Sequence, residues 1–486
     1  MGETGPMRDL SSNCIVRLLG VTLATLVSSQ CLHGAVRWPQ FRGPNSSGVS
    51  ESDKPPVEFG PGTNQLWRIR VPAGMSSPCI WGNHIFLTGI TTNQKLTTLC
   101  LRRSDGKILW SQVAPAEQIE EVNPDSSPAS ATPATDGQLV YVYFGSCGLL
   151  AYDFEGRERW RKPLPLVVSL NGSGTSPVVM DGTVFVNRDQ EEGKSTLLAV
   201  DAATGRTIWE TPRPRFNSSY TTPIFWERGD TKDVVLAGSL QVVGYGLRDG
   251  KERWSGTGLE GLSVCPTPVI GEGHLYAASR SMGGMKLPNF DSQQKEMDTN
   301  GDQKISWPEA KGMMGVKQVF QSIDENKDGF ITAPEWDASV AMMSKGEYGV
   351  FALRDPGASA GDLTATHIVW KNKRGAATVP SPLFYRGRLY LIQDGGRLTC
   401  YQAKTGKTLY EQERLEVDGQ YWASPVAANG NVYFASAQGT IVVVEAGDTL
   451  KVAARNKLNQ RITATPAIAD DKLFVRTASH LWAFGK

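Results

Sequence analysis

The stretch LLAVDAATGRTIWE, residues 197–210, decides the architecture of this chain. An apolar strand runs into a turn that ends on Gly205, and a second strand then reaches a large aromatic, Trp209. Glycine supplies the positive φ that a tight connection between antiparallel strands requires. The same unit returns as TTLCLRRSDGKILW (97–110), GLLAYDFEGRERW (148–160), VVGYGLRDGKERW (242–254) and RLTCYQAKTGKTLY (397–410). Each ends on Trp or Tyr, and Trp370 closes a further copy.

Outward from this unit a second marker repeats. A Ser-Pro or Thr-Pro pair opens an apolar strand at Ser77, Thr132, Ser176, Thr222, Thr267, Ser381, Ser424 and Thr465. The steps between them are 55, 44, 46, 45, 114, 43 and 41 residues, so a single step carries a large surplus. Between markers lie a short strand, a Gly or Asp turn, a second strand and then the strand–turn–strand unit above. That is a four-stranded antiparallel meander with apolar residues on both faces. One such sheet cannot bury both faces, but a radial stack of them can. The terminal aromatics are placed to wedge between neighbouring blades.

The ends indicate a closed ring. The last repeat, ATPAIADDKLFVRTASHLWAF, provides three strands, and NQLWRIRV near the start, with Trp67, provides a lone outer strand. Pairing them completes an eighth blade and removes an open edge. The expected fold is all-β, an eight-bladed β-propeller with a small α-helical insert in blade five. The expected boundaries are a signal segment over 1–35, a lead-in over 36–65, the propeller over 66–486 and the insert over 288–345.

The insert holds two loops with the residue order of EF-hands. In DENKDGFITAPE, Asp324, Asn326 and Asp328 take positions one, three and five. Gly329 takes position six, the Phe330 carbonyl position seven and Glu335 position twelve. This spacing offers a calcium ion carboxylates, an amide oxygen, a carbonyl and a bidentate Glu, with Gly at the sharp bend. The loop DTNGDQKISWPE offers Asp298, Asn300, Asp302, the Lys304 carbonyl and Glu309, but Gln303 replaces the glycine, which raises the cost of the bend. Ile305 and Ile331 match, and are expected to pair in a short bridge.

Arg8 and Arg17 precede an apolar run, Leu18 to Val27, and then small residues up to Ala35. That order is an export signal, and the run is too short for a spanning helix, which needs about 20 residues. The expected location is periplasmic or extracellular, with no transmembrane segment in the mature chain. Cys79, Cys100, Cys147, Cys265 and Cys400 remain after the signal, an odd set without disulfide spacing. Cys100 and Cys400 share one repeat position and read as small buried residues. A formal net charge of +1 with 20% charged residues shows no basic excess, which argues against nucleic acid as a partner.

The pattern Ala199, Asp201, Thr204, Gly205, Trp209 resembles the repeat of quinoprotein alcohol dehydrogenases and of the outer-membrane assembly propeller lipoprotein. WPQFRGPNSSG (38–48) is similar to the start of many secreted bacterial quinoprotein-like propellers. The resemblance covers nearly the whole mature chain and implies the fold; function follows from sites, not from fold. In the dehydrogenases it implies pyrroloquinoline quinone on the propeller axis over calcium, with a catalytic Asp and often adjacent cysteines. This chain has no Cys-Cys pair and no Cys-x-x-Cys-His haem site, so no catalytic residue carries over.

If the chain enters each innermost strand from an upper face, the blade-to-blade links and the turns between second and third strands lie there too. The residues before the Pro markers then ring the upper channel mouth. Asn171, Arg215, Asn217, Tyr220, Arg374, Gln420, Trp422 and Arg461 are candidate ligand contacts. The insert, between HLYAASRS and EYGVFALRD, is expected on that face as a lid or rim. Two functions stay open: an exported calcium-binding monomer that serves as a scaffold for a protein, glycan or polar small molecule, and a quinone-dependent oxidoreductase.

Overall fold

The computed structural model describes Met1 and residues 36–486, except 192, 217–218, 262, 281–288, 311–319, 321–322, 325 and 345–348. The chain divides into Met1–Ala35 and Val36–Lys486; the signal segment expected over 1–35 lies outside the described residues apart from Met1. Val36–Lys486 forms the expected eight-bladed propeller.

Blades two, three and six are four-stranded meanders; in blade three the strands are Val178–Met180, Thr183–Arg188, Thr196–Asp201 and Thr207–Pro212. Blade eight takes Ala467–Ala469, Lys472–Arg476 and His480–Phe484 from the end of the chain and Gln65–Arg70 from near its start. The ring is therefore closed by antiparallel pairing of residues about 400 apart. Blade five is interrupted between its second strand, His274–Ala278, and its third, Val350–Arg354, where the helical insert leaves. The buried apolar residues lie between neighbouring blades rather than in one central body, for example Tyr141, Tyr143, Val184 and Leu198 between blades two and three.

The repeat motif is explained by three contacts. The fourth-strand aromatic sits opposite a small residue on the third strand: Trp110 opposite Cys100, Trp160 opposite Ala151, Trp209 opposite Ala199, Trp254 opposite Gly244 and Tyr410 opposite Cys400. A β-bulge beside Trp110, Trp209 and Trp370, the last opposite Ala352, turns the neighbouring residue outward, which leaves Leu109, Ile208 and Val369 exposed. The indole then docks on the turn of the next blade. Trp160 Nε1 donates to the Ala202 carbonyl at 2.9 Å, and a Cβ on Gly205 would lie 2.6 Å from its ring. Trp67, Trp110, Trp209 and Trp370 donate in the same way to Arg103, Phe154, Leu247 and Ala403. In blade five that turn is replaced by residues 355–367, and Trp254 donates instead to Asp233.

The Ser/Thr-Pro marker has its own role. The backbone N–H of Ser77 donates to the Thr132 hydroxyl, Thr132 to Ser176, Ser176 to Thr222, Thr222 to Thr267, Thr267 to Ser381, Ser381 to Ser424 and Ser424 to Thr465, all at 2.9–3.2 Å. These buried hydroxyls link blades one to eight in series.

Candidate functional site

The lead-in segment defines one end of the channel. Arg37–Trp38 pairs with the innermost strand of blade one, and Val49–Ser50 pairs in parallel with that of blade seven. Between them the Pro39 carbonyl accepts from Thr135 in blade two, and Asn45 bonds both the N–H and the carbonyl of Phe225 in blade four, at 2.8 and 2.7 Å. Arg42, fully buried, donates to the Pro382 carbonyl of blade six at 2.7 Å. Asp53 and Lys54 meet Asp471 in the strand-one to strand-two turn of blade eight. The segment thus crosses the lower mouth and fastens it from several sides. Sequence reasoning assigned no role to WPQFRGPNSSG; its hint was a cluster of turn formers beside a Trp in a segment outside the repeat.

Several of the predicted ligand contacts, which lie in links between blades, occur in pairs. Asn171 Nδ2 donates to the Tyr220 hydroxyl at 3.2 Å, and that hydroxyl lies 2.9 Å from Ser169 Oγ. The Arg461 guanidinium stacks over Trp422 at 4.4 Å and pairs with Asp125 at 2.9 Å. Gln420 is exposed beside them. Arg215 and Arg374 are drawn elsewhere: they pair at 2.7 and 2.6 Å with Glu252 and Glu411, on the outer strands of blades four and six. Asn217 lies outside the described residues.

Sequence reasoning also missed Glu120, in the link from blade one to blade two. Its carboxylate is buried and accepts from the N–H and hydroxyl of Ser173 at 3.1 and 2.8 Å. Burial pushes its pKa up to about 7 against those two donors. Gly145 leaves it room, since a Cβ there would lie 2.5 Å from Glu120 Oε2.

The insert has a hydrophobic cluster of its own: Phe290, Met297, Ile305, Ala310, Phe320, Ile323, Ile331 and Trp336. Ile305 pairs with Ile331 in the expected two-stranded bridge. In each loop the Glu at position twelve, in the first turn of the exiting helix, reaches back to the N–H and hydroxyl of the residue at position nine, as in one half of a capping box. Glu309 Oε2 accepts from the Ser306 N–H and hydroxyl at 2.8 and 2.6 Å. Glu335 Oε2 accepts from those of Thr332 at 2.9 and 2.7 Å. Both loops are thereby built to aim a second carboxylate oxygen inward.

Here the loops diverge. In the first, Glu309 Oε1 is taken up by the Thr299 N–H and hydroxyl and the Asn300 N–H, at 2.9, 3.0 and 3.3 Å. The Ser306 donors, joined by those of Thr299, hold the Glu309 carboxyl down at about 2. Asp298 accepts from Gly301 and Gln303, Asp302 accepts from the Lys304 N–H, and Asn300 accepts from Asp302. Gln303 takes the left-handed conformation, φ 64°, that the bend demands. In the second loop, Asp324 accepts from Asp328 and Gly329, Asn326 from Asp328, and Asp328 from Phe330. Gly329 makes the bend at φ 87°. Glu335 Oε1, by contrast, is buried without a hydrogen-bond partner. Burial, with the neighbouring Asp328 and Glu335 carboxylates, raises the Asp324 pKa. Among the described residues no three His, Cys, Asp or Glu side chains are gathered tightly enough to hold a metal outright. The second loop nevertheless fits a hard cation, because its one orphaned buried oxygen belongs to the residue that position twelve requires.

The insert leaves and re-enters blade five on the upper face. Lys327, position four of the second loop, donates to the Gly193 carbonyl at 2.7 Å, in the turn between the second and third strands of blade three. Among the described residues no helix is long and apolar enough to cross a membrane. Cys79, Cys100, Cys147, Cys265 and Cys400 are all unpaired.

A family model described as outer membrane protein assembly factor BamB matches residues 61–166, 100–316 and 335–480. An EF hand model matches 316–341, which includes the second loop. The outer membrane protein assembly factor BamB of Yersinia pestis is 24% identical over 324 residues, 59% of this chain and 78% of that protein. The crystal structure of BamB from Moraxella catarrhalis superposes with a TM-score of 0.54 at 13% identity, over 87% of this chain and 99% of that one. Quinohemoprotein alcohol dehydrogenase from Comamonas testosteroni gives 0.54 at 12% identity, over 93% and 81%. At these identities the structural likenesses show the fold alone.

Proposed function

The chain belongs to the PQQ-repeat propeller family described as outer membrane protein assembly factor BamB, and from that premise we propose that it is an exported, calcium-binding scaffold whose second EF-hand loop is its principal cation site. The observation that carries the calcium reading is the buried, unpartnered Glu335 Oε1 in a loop whose other oxygens stand at ligand positions. Asp324, Asn326, Asp328, the Phe330 carbonyl and Glu335 would hold the ion, and the ion would supply positive charge to neighbouring carboxylates. Asp298, Asn300, Asp302, the Lys304 carbonyl and Glu309 form the weaker site. There an incoming ion must first displace the N–H donors that satisfy Glu309 Oε1.

The scaffold reading is supported by a lower mouth crossed by the lead-in and an upper face that carries the insert, the Trp422–Arg461 stack and the Asn171–Tyr220 pair. The relatives are named as assembly factors of outer membrane proteins, so a protein is the first class of partner to seek there. The quinone alternative is supported only by likeness of fold to a quinohemoprotein alcohol dehydrogenase at 12% identity.

Calorimetric titration of the mature chain with calcium tests the reading. A stronger and a weaker event are expected, and Glu335→Gln should weaken the stronger by about 100-fold or more, since loss of even an outer-shell partner costs about 10–100-fold. Glu309→Gln should touch only the weaker event. No calcium heat in the wild-type chain would overturn the proposal. Pyrroloquinoline quinone added to the calcium-loaded protein is expected to give no saturable heat; saturable binding would favour the oxidoreductase.

A further inference from the structure

We propose that calcium in the second loop is coupled to the channel mouth through Lys327 and the blade-three turn that it touches; this rests on the calcium reading above. The insert belongs to blade five, yet the Lys327 Nζ donates to Gly193 of blade three, so the insert reaches past blade four on the upper face. Lys327 sits between Asn326 and Asp328, at positions three and five of the loop, with its backbone in the left-handed region at φ 58°. Asn326 and Asp328 flank Lys327 directly and accept backbone N–H bonds inside the loop, so ion binding that reorganises those bonds acts on the backbone that carries Lys327.

The turn on the receiving side is firmly built. Gln190 bonds the Ser195 hydroxyl and the Lys194 carbonyl across it, at 3.1 and 2.9 Å. Asp189 at its base is buried and paired with both Arg213 Nε and Nη2, at 2.8 and 2.9 Å. The same turn grips the link that lines the mouth. The Glu191 N–H donates to the Val168 carbonyl at 3.0 Å, and Glu191 Oε2 accepts from the Leu170 N–H at 3.2 Å. That link continues through Ser169 and Asn171 to the Tyr220 hydroxyl. Hydrogen bonds and the short backbone segments between them thus join the cation loop to the 168–171 link and Tyr220, with Lys327 as the sole described side-chain bond from the loop to blade three. Coupling of this kind is a free energy between two sites, and it is reciprocal.

Hydrogen exchange on the full mature chain, with and without calcium, reads it directly. Calcium is expected to slow exchange about tenfold or more at the amides of 168–171 and 189–195, well outside the insert. In Lys327→Met, calorimetry should still show calcium binding, but the slowing at blade three should be gone; Lys327→Arg should restore it. Glu335→Gln should show no slowing at calcium concentrations that saturate the wild type, and should regain it only at about 100-fold higher calcium. Calcium heat in the wild type without slowing at blade three, or slowing that survives Lys327→Met, overturns the coupling and leaves the calcium reading standing. Absence of calcium heat overturns both.

Discussion

At the scale of single residues, the repeat motif is a record of space. Ala199 and Cys100 are small because a Trp lies opposite each, and Gly205 lacks a side chain because the preceding blade's Trp160 rests on it. Cys100 and Cys400 are both fully buried, the latter opposite Tyr410. Gly205→Ala meets both a positive φ of 71° and a ring at 2.6 Å, and should cost about 2–4 kcal/mol in chemical denaturation. Glu120 was not legible, because a lone Glu in a link has no pattern and only burial gives it character. Its pKa is raised by that burial to about 7 from 4.5. Below pH 4.5 both folded and unfolded states hold the proton. Between 4.5 and 7 the unfolded chain releases it first, so stability falls as pH rises through this window and levels off above it. The loss is about 3 kcal/mol at most, at 1.36 kcal/mol per unit. Glu120→Gln should flatten the pH dependence of the denaturation midpoint over that range; an unchanged profile would assign the slope to other groups.

At the scale of elements, the two departures from the repeat carry the specific features of this chain. The insert was legible because an EF-hand loop encodes its ligands and its bend within twelve consecutive residues, and the Ile305–Ile331 bridge followed from their matched positions. Its pairs of positions nine and twelve, Ser306 with Glu309 and Thr332 with Glu335, were equally present in the sequence. What the sequence could not tell is that Glu309 turns its second oxygen onto the loop backbone while Glu335 leaves its own unpaired. Because the insert has its own apolar cluster, Asp298→Ala with Asp324→Ala should abolish calcium heat and leave the β-sheet circular dichroism of the propeller intact. Loss of that signal would show that the two are one folding unit. The lead-in is the opposite case. Its bonds run to blades distant in sequence, and Asn45→Ala, which deletes the two bonds to Phe225, should lower stability by about 1–3 kcal/mol.

At the scale of the whole molecule, each blade buries its faces only against its neighbours, so closure matters more than any one sheet. The outer strand of blade eight, Gln65–Arg70, is the closing piece, and Trp67 carries the indole bond from it to blade one. A chain beginning at residue 71 should therefore unfold less cooperatively than one beginning at residue 36 and expose the edge of His480–Phe484; an unchanged transition would mean that closure adds little. The sequence by itself determined the number of blades, the strand order within them, the orphan strand that closes the ring and the place and type of the insert. All of these are written in local periodicity, turn residues and spacing, which act over a few tens of residues. The tertiary structure alone decided that the lead-in crosses the lower mouth, that the marker hydroxyls link the blades in series, that Arg215 and Arg374 pair with outer strands, and that Lys327 lands on blade three. Those contacts join residues from about 40 to more than 400 positions apart, and only the closed ring brings such groups within hydrogen-bonding distance.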